Sequence, residues 1–165
     1  MERSTFAAAA LVLALLGASG STQSLAAGPG TVQSLASGKC IDLEGGSTAD
    51  GAVVIQYACH AGPNQQWSIK SAGGAGYRIV SQLSGKCISI DRTESGISAP
   101  VLQSACGNGA SEQLWSLTSE RGGYVVKSIE SGRCLDVPGA SAVNGTKLVA
   151  WSCNTGENQV WRLPH

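Results

Sequence analysis

Asp42 and Asp136 each stand two residues after a cysteine, and Tyr57 and Trp151 each stand two residues before one. The cysteines form three evenly spaced pairs, Cys40 and Cys59, Cys87 and Cys106, Cys134 and Cys153, the members of each 19 residues apart. If the members of a pair face each other across antiparallel strands, Asp42 lies opposite Tyr57 and Asp136 lies opposite Trp151. The middle pair then sets Ser89 against Ser104, one hydroxyl against another. A carboxylate beside an aromatic ring suits a sugar. The carboxylate accepts hydrogen bonds from vicinal hydroxyls, and the ring packs on the apolar C–H face of a pyranose. Plainer roles compete: an aspartate beside a glycine-rich turn often only caps it, and a ring at a rim often only packs there.

Other chemistries find little material. The histidines are His60, in one copy only, and His165 at the last position. With every cysteine committed to a pair, no Ser-His-Asp or Cys-His arrangement can be assembled. The cysteine spacing does not suit a metal, and no carboxylate cluster offers the six to eight oxygens that calcium takes. Two carboxylates can hydrolyse a glycoside only when they flank one bond, under about 10 Å apart. Asp42 and Asp136 occupy equivalent places in different copies, so they belong to separate sites. The expectation is a protein without catalysis, metal or cofactor. Eleven basic residues balance eleven acidic ones, which leaves no basic face for nucleic acid or an anionic membrane.

The elements that must hold these residues are written three times. The first cysteine recurs every 47 residues, behind Ser37-Gly38-Lys39, Ser84-Gly85-Lys86 and Ser131-Gly132-Arg133. Each copy closes on Gln-x-Trp, at Gln65-Gln66-Trp67, Gln113-Leu114-Trp115 and Gln159-Val160-Trp161. A unit of this size buries its apolar face only against its copies. Short β-favouring runs between glycine turns, about four per copy, predict an all-β body of about twelve strands closed around a threefold axis. Ile41 and Leu43, Ile88 and Ile90, and Leu135 and Val137 alternate toward the core, and the three tryptophans, shared by all copies, join them. Three disulfides within copies, Cys40–Cys59, Cys87–Cys106 and Cys134–Cys153, respect the repetition; a cyclic pairing between copies respects it too. Ahead of the repeats, Arg3, the apolar run from Ala7 to Leu16 and the small residues Ser24, Ala26 and Ala27 form a secretory signal over residues 1–27, too short to span a bilayer. The expectation is an exported, disulfide-bonded monomer of one domain, 28–165, with repeats near 31–73, 74–121 and 122–163.

Gly-Lys-Cys-Ile-Asp-Leu followed by Asn64-Gln65-Gln66-Trp67, repeated in register with three cysteine pairs, resembles the ricin B-type lectin domain and its family 13 carbohydrate-binding modules. The resemblance covers about Thr31 to Leu163. It implies a β-trefoil, a six-stranded barrel capped by three hairpins, with one potential sugar site per copy. It also gives Asn64 and Gln65 in copy one, and Asn158 and Gln159 in copy three, the role of amides beside the carboxylate. Copy two carries Glu112 in place of the asparagine and lacks both carboxylate and ring, yet keeps Cys87, Cys106, Gln113 and Trp115. Asp91, two residues beyond Ser89, would have no opposed ring. Two working sites and one dead one follow. Because Gln113 persists in the dead copy, Gln65 and Gln159 are equally readable as structural. The function implied is a secreted lectin for glycans or polysaccharides, and a trefoil that binds a protein partner is the alternative. Choice of sugar falls to the connections from Glu44 to Gly51 and from Pro138 to Gly145.

Overall fold

The computed structural model describes residues 25–94 and 96–165. All but the last three residues of the expected signal lie outside the described residues. Two short strands begin the chain, β1 (Ala27–Gly30) and β2 (Gln33–Ser34). Copy one continues with β3 (Cys40–Leu43), β4 (Val54–Tyr57) and β5 (Trp67–Ser71). Copy two supplies β6 (Tyr77–Ser81), β7 (Cys87–Ile90), β8 (Ala99–Ser104) and β9 (Trp115–Glu120). Copy three supplies β10 (Gly123–Ser128), β11 (Cys134–Asp136), β12 (Thr146–Lys147), β13 (Val149–Trp151) and β14 (Val160–Arg162). Counting β1 with β2, and β12 with β13, as single bent strands recovers the expected twelve.

Six of these form a closed ring. The bent first strand pairs with β5 through β1; β5 pairs with β6, β6 with β9, β9 with β10, β10 with β14, and β14 returns to β2. The hairpins β3–β4, β7–β8 and β11–β13 cap the ring, joined to one another by β12 on β4 and β13 on β8. All strand pairing is antiparallel, as β-favouring runs joined by tight glycine turns require. Trp67, Trp115 and Trp161 are fully buried, and their indole N–H groups donate to the carbonyls of Ile41, Ile88 and Leu135. Each tryptophan thus ties a barrel strand to the hairpin of its own copy. The aliphatic pairs flanking Asp42, Ser89 and Asp136 complete the core.

The disulfides join Cys40 to Cys59, Cys87 to Cys106 and Cys134 to Cys153, each with Cα atoms 5.1 Å apart, so the cyclic scheme does not occur. In the chain-entropy account each bridge stabilises the fold by roughly 3 kcal/mol.

The strand register differs from the expectation by two residues. Cys40 lies opposite Tyr57 and Asp42 opposite Ile55; Cys134 lies opposite Trp151 and Asp136 opposite Val149. In copy two Cys87 opposes Ser104, and Ser89 opposes Leu102. The reason is local: β4 ends at Tyr57 and β13 at Trp151, so the second cysteine sits beyond the ladder and its disulfide reaches back on a diagonal. A shift of two leaves every side chain on its expected face, since strand alternation has period two. Aspartate and ring are therefore diagonal neighbours across the hairpin rather than a facing pair, and the space between them is open.

Candidate functional site

In copy one, β3 carries Asp42, β4 carries Tyr57, a 3-10 turn at Glu44–Gly46 forms one wall, and a second at Pro63–Gln65 brings in the amides. These surround a cleft of about 330 Å³, lined by Asp42, Glu44, Tyr57, His60 and Asn64 among others. Asp42 is nearly buried, with its carboxylate held in place: Asn64 Nδ2 donates to Oδ1 at 2.8 Å and Gln65 Nε2 to Oδ2 at 2.7 Å. Gln65 is itself wholly buried. Its other N–H donates to the Ala58 carbonyl and its oxygen accepts from the His60 amide.

Copy three repeats the plan with β11, β13 and 3-10 turns at Pro138–Ala140 and Glu157–Gln159 around a cleft of about 390 Å³. Asn158 Nδ2 and Gln159 Nε2 both donate to Asp136 Oδ2, at 2.9 and 2.7 Å. Burial raises the Asp136 carboxyl above the ordinary aspartate range, and the hydrogen bond from Gln159 draws it partly back. Gln159 is as buried as Gln65, bonded to the Ser152 carbonyl and the Asn154 amide. The rings, by contrast, are the exposed parts: Tyr57 is 42% and Trp151 38% exposed.

The predicted site residues thus assemble in two groups. Asp42, Tyr57, Asn64 and Gln65 meet at one cleft, and Asp136, Trp151, Asn158 and Gln159 at the other. The two glutamines stand behind the carboxylates rather than in the clefts. Gln113 does the same work in copy two, donating to Ser104 Oγ and the Ala105 carbonyl, which explains its persistence where the carboxylate is gone.

Copy two differs at a residue that the sequence did not single out. Where Gly45 and Gly139 turn the chain at φ 63° and 61°, copy two has Arg92. No 3-10 turn forms there. The guanidinium pairs with Glu112 at 3.0 Å and with Glu130, and donates to Ser111 Oγ. Glu112 is the counterpart of Asn64, so the group that would steady a carboxylate binds the arginine instead. Asp91 is engaged locally: its Oδ1 accepts from the backbone N–H and the hydroxyl of Thr93, which hold its carboxyl below the usual range.

His60 was also overlooked. Its Nε2 lies 3.3 Å from Asp42 Oδ2, its Nδ1 accepts from the Gly62 amide, and its ring meets Tyr57 edge-on at 6.3 Å. A Cβ on Gly62 would come within 2.8 Å of both His60 and Asn64 Oδ1, so only glycine lets the two side chains converge. Copy three uses Asn154 at this place, with its Oδ1 accepting from Gly156. Comparing the copies residue by residue at 45, 92 and 139, and around 60 and 154, was the signal that would have exposed both Arg92 and His60. Among the described residues, no group of three or more His, Cys, Asp or Glu is placed to hold a metal ion.

The model of the ricin-type β-trefoil lectin domain matches residues 28–161, and the chain belongs to that family. Among solved structures, it is similar to the designed threefold-symmetric protein ThreeFoil, at 36% identity and a TM-score of 0.79, covering 83% of this chain and 98% of that one. It is similar to an exo-β-1,3-galactanase of Clostridium thermocellum at 28% identity and a TM-score of 0.76, covering 81% of this chain but 29% of the galactanase. It shares its fold with a ricin B-like lectin of Macrolepiota procera, solved in complex with lactose, at 21% identity and a TM-score of 0.70 over 87% of this chain and 99% of that one. The domain is a carbohydrate-binding β-trefoil.

Proposed function

We propose that this protein is a secreted, non-catalytic lectin with two working sugar sites, in copies one and three, used together on one glycan surface or polysaccharide. One observation carries the reading. Copy two has lost the aspartate, the ring, the asparagine and the glycine of the short turn as a set, while keeping its disulfide, its buried glutamine and its core tryptophan. Residues that serve the fold alone would not be lost together.

In each open site the aspartate oxygens accept from sugar hydroxyls, the asparagine amide steadies the carboxylate at the cleft and reaches a further hydroxyl, and Tyr57 or Trp151 covers the C–H face. Gln65 and Gln159 act through the carboxylate by aiming it. A shallow site of this kind binds a monosaccharide near the millimolar level, about −4 kcal/mol. Two on one rigid body raise binding to a polymer by roughly 10² to 10⁴ without new contacts. Three disulfides suit an oxidising, extracellular compartment. Lectins of the same fold have been solved with lactose and with GalNAc, which makes galactose-type sugars the first to try.

The test is calorimetric titration of the mature protein with the best glycan from an array. Two sites per chain are expected, with no effect of a chelator and no release of reducing sugar. Three equivalent sites, a chelator-sensitive signal, or hydrolysis would each overturn the proposal.

A further inference from the structure

Five large apolar side chains stand exposed on the described surface: Tyr57, Trp151, Ile97, Val143 and Ile129. The first two are the rings. Val143, 68% exposed, and Ile97, 72% exposed, lie in the connections of copies three and two. Each connection runs along the edge of the hairpin belonging to the next copy round the axis.

For copy one the contact is explicit. Gln56 Nε2 donates to the carbonyls of Ser141 and Val143, and the Ala58 amide donates to Asn144 Oδ1 at 2.9 Å, so the connection follows the chain on both sides of Tyr57. Gly145 from the same connection lines the copy-one cleft. For copy three, Pro100 lies opposite Val149 and Ala99 opposite Ala150, and the connection that carries Ile97 enters β8 at Ala99, just beyond this ladder. Arg133, next to the Cys134 that opposes Trp151, donates to the Gly96 carbonyl at 2.8 Å.

Copy two again serves as the control. The copy-one connection makes the same backbone contacts there, from Gln103 Nε2 to Ser47 and Ala49 and from the Ala105 amide to Asp50, but it presents Ala49 and an Asp50–Lys86 ion pair. A lone exposed aliphatic residue means nothing. An exposed aliphatic residue in the connection next to each open cleft, with an ion pair in the connection next to the third copy, is a pattern. The Ala58–Asn144 bond beside Tyr57 and the Arg133–Gly96 bond beside Cys134 hold each connection against the chain next to its ring, so each aliphatic group flanks its cleft on the ring side.

We propose that Val143 and Ile97 form a second subsite beside each open cleft, packing on the C–H face of the pyranose that follows the one held by the aspartate and ring. This rests on the two-site reading above. Each binding surface then belongs to two copies, and its ligand is a disaccharide or longer rather than a single sugar. Covering one such side chain is worth about fivefold in affinity at ~25 cal/mol per Å².

The experiment isolates each site, using Asp136→Ala to leave copy one and Asp42→Ala to leave copy three. The probes are galactose with β-1,3-galactobiose and xylose with xylobiose, followed by calorimetry and amide chemical-shift titration. Val143→Ser in the first background and Ile97→Ser in the second should weaken the disaccharide about fivefold and leave the monosaccharide unchanged. Both positions are exposed, so thermal melts should match the parents. Equal affinity for mono- and disaccharide in the parents, an unchanged disaccharide affinity in both serine variants, or an equal loss for monosaccharide would overturn the subsite. If no probe binds the wild-type chain, or if binding survives in the Asp42→Ala/Asp136→Ala double variant, the two-site reading itself fails, and the subsite with it.

Discussion

The two open sites grip the same carboxylate differently. In copy one both oxygens of Asp42 are engaged, Oδ1 by Asn64 and Oδ2 by Gln65, with His60 alongside. In copy three both amides converge on Oδ2 of Asp136, and Oδ1 takes no hydrogen bond among the described residues. A carboxylate has about four acceptor positions, so copy three leaves a whole oxygen to a ligand and copy one leaves less. Copy two completes the series, with Ser89 for the carboxylate and Arg92 paired with Glu112 and Glu130. A duplicated framework fixes where a site stands; side chains outside the framework decide how much of it a ligand can use.

The largest expected effect comes from removing both carboxylates. Asp42→Ala with Asp136→Ala should abolish polysaccharide binding, and either change alone should weaken it by about 10²-fold or more through lost avidity. Affinity electrophoresis in soluble polysaccharide reads this directly, and a single variant that migrates like wild type would show that one site suffices. Next comes acidity. A sugar hydroxyl needs the charged form of Asp136, whose carboxyl burial holds above its ordinary value. In an Asp42→Ala background, affinity should therefore fall about tenfold per pH unit below that raised value, starting at a higher pH than for an ordinary aspartate. Stability moves the other way at this residue: the folded chain takes up the proton more readily than the unfolded one, so acid through the same window favours folding here. An affinity that stays flat from roughly pH 6 to 3 would remove the carboxylate from recognition.

A smaller effect should separate the two open sites. Copy three should bind a monosaccharide more tightly, and His60→Asn, which gives copy one the residue of copy three, should narrow the gap by roughly threefold, within the net worth of one hydrogen bond. Loss of affinity in that variant would instead make His60 a direct contact. Ser89→Ala should do nothing to binding. If it weakens binding as Asp42→Ala does, copy two is open after all.

Much of this molecule was legible because it is written three times. Cysteine spacing narrowed the disulfides to two schemes, alternation gave the inward aliphatic pairs, and the shared tryptophans gave the core. The register was misread because Cys59 and Cys153 lie past the ends of β4 and β13, where pairing rules no longer bind. The two-residue error preserved the face, so the aspartates and rings were still brought to the right clefts. His60 and Arg92 were missed for a different reason. Their importance lies in what they touch, Asp42 in one case and Glu112 with Glu130 in the other, and those contacts join turns that no local pattern relates. The glutamines show the reverse: the residue type that survives in copy two is buried in all three copies and bonded to the backbone in each.

The barrel is closed by its first strand against its last, with Ser34 opposite Trp161 and Gln33 opposite Arg162. A chain that emerges from its N-terminal end can pair this strand with β5 and β3 but leaves its edge toward β14 open until residues 160–162 exist. The ring cannot close earlier, whatever the three hairpins have done. Closure must wait for the whole chain, and such late, long-range pairing is slow and leaves sheet edges open meanwhile. For the export proposed above this is an advantage, since a chain that crosses a membrane extended stays unlatched during passage and closes its ring only when the last strand arrives.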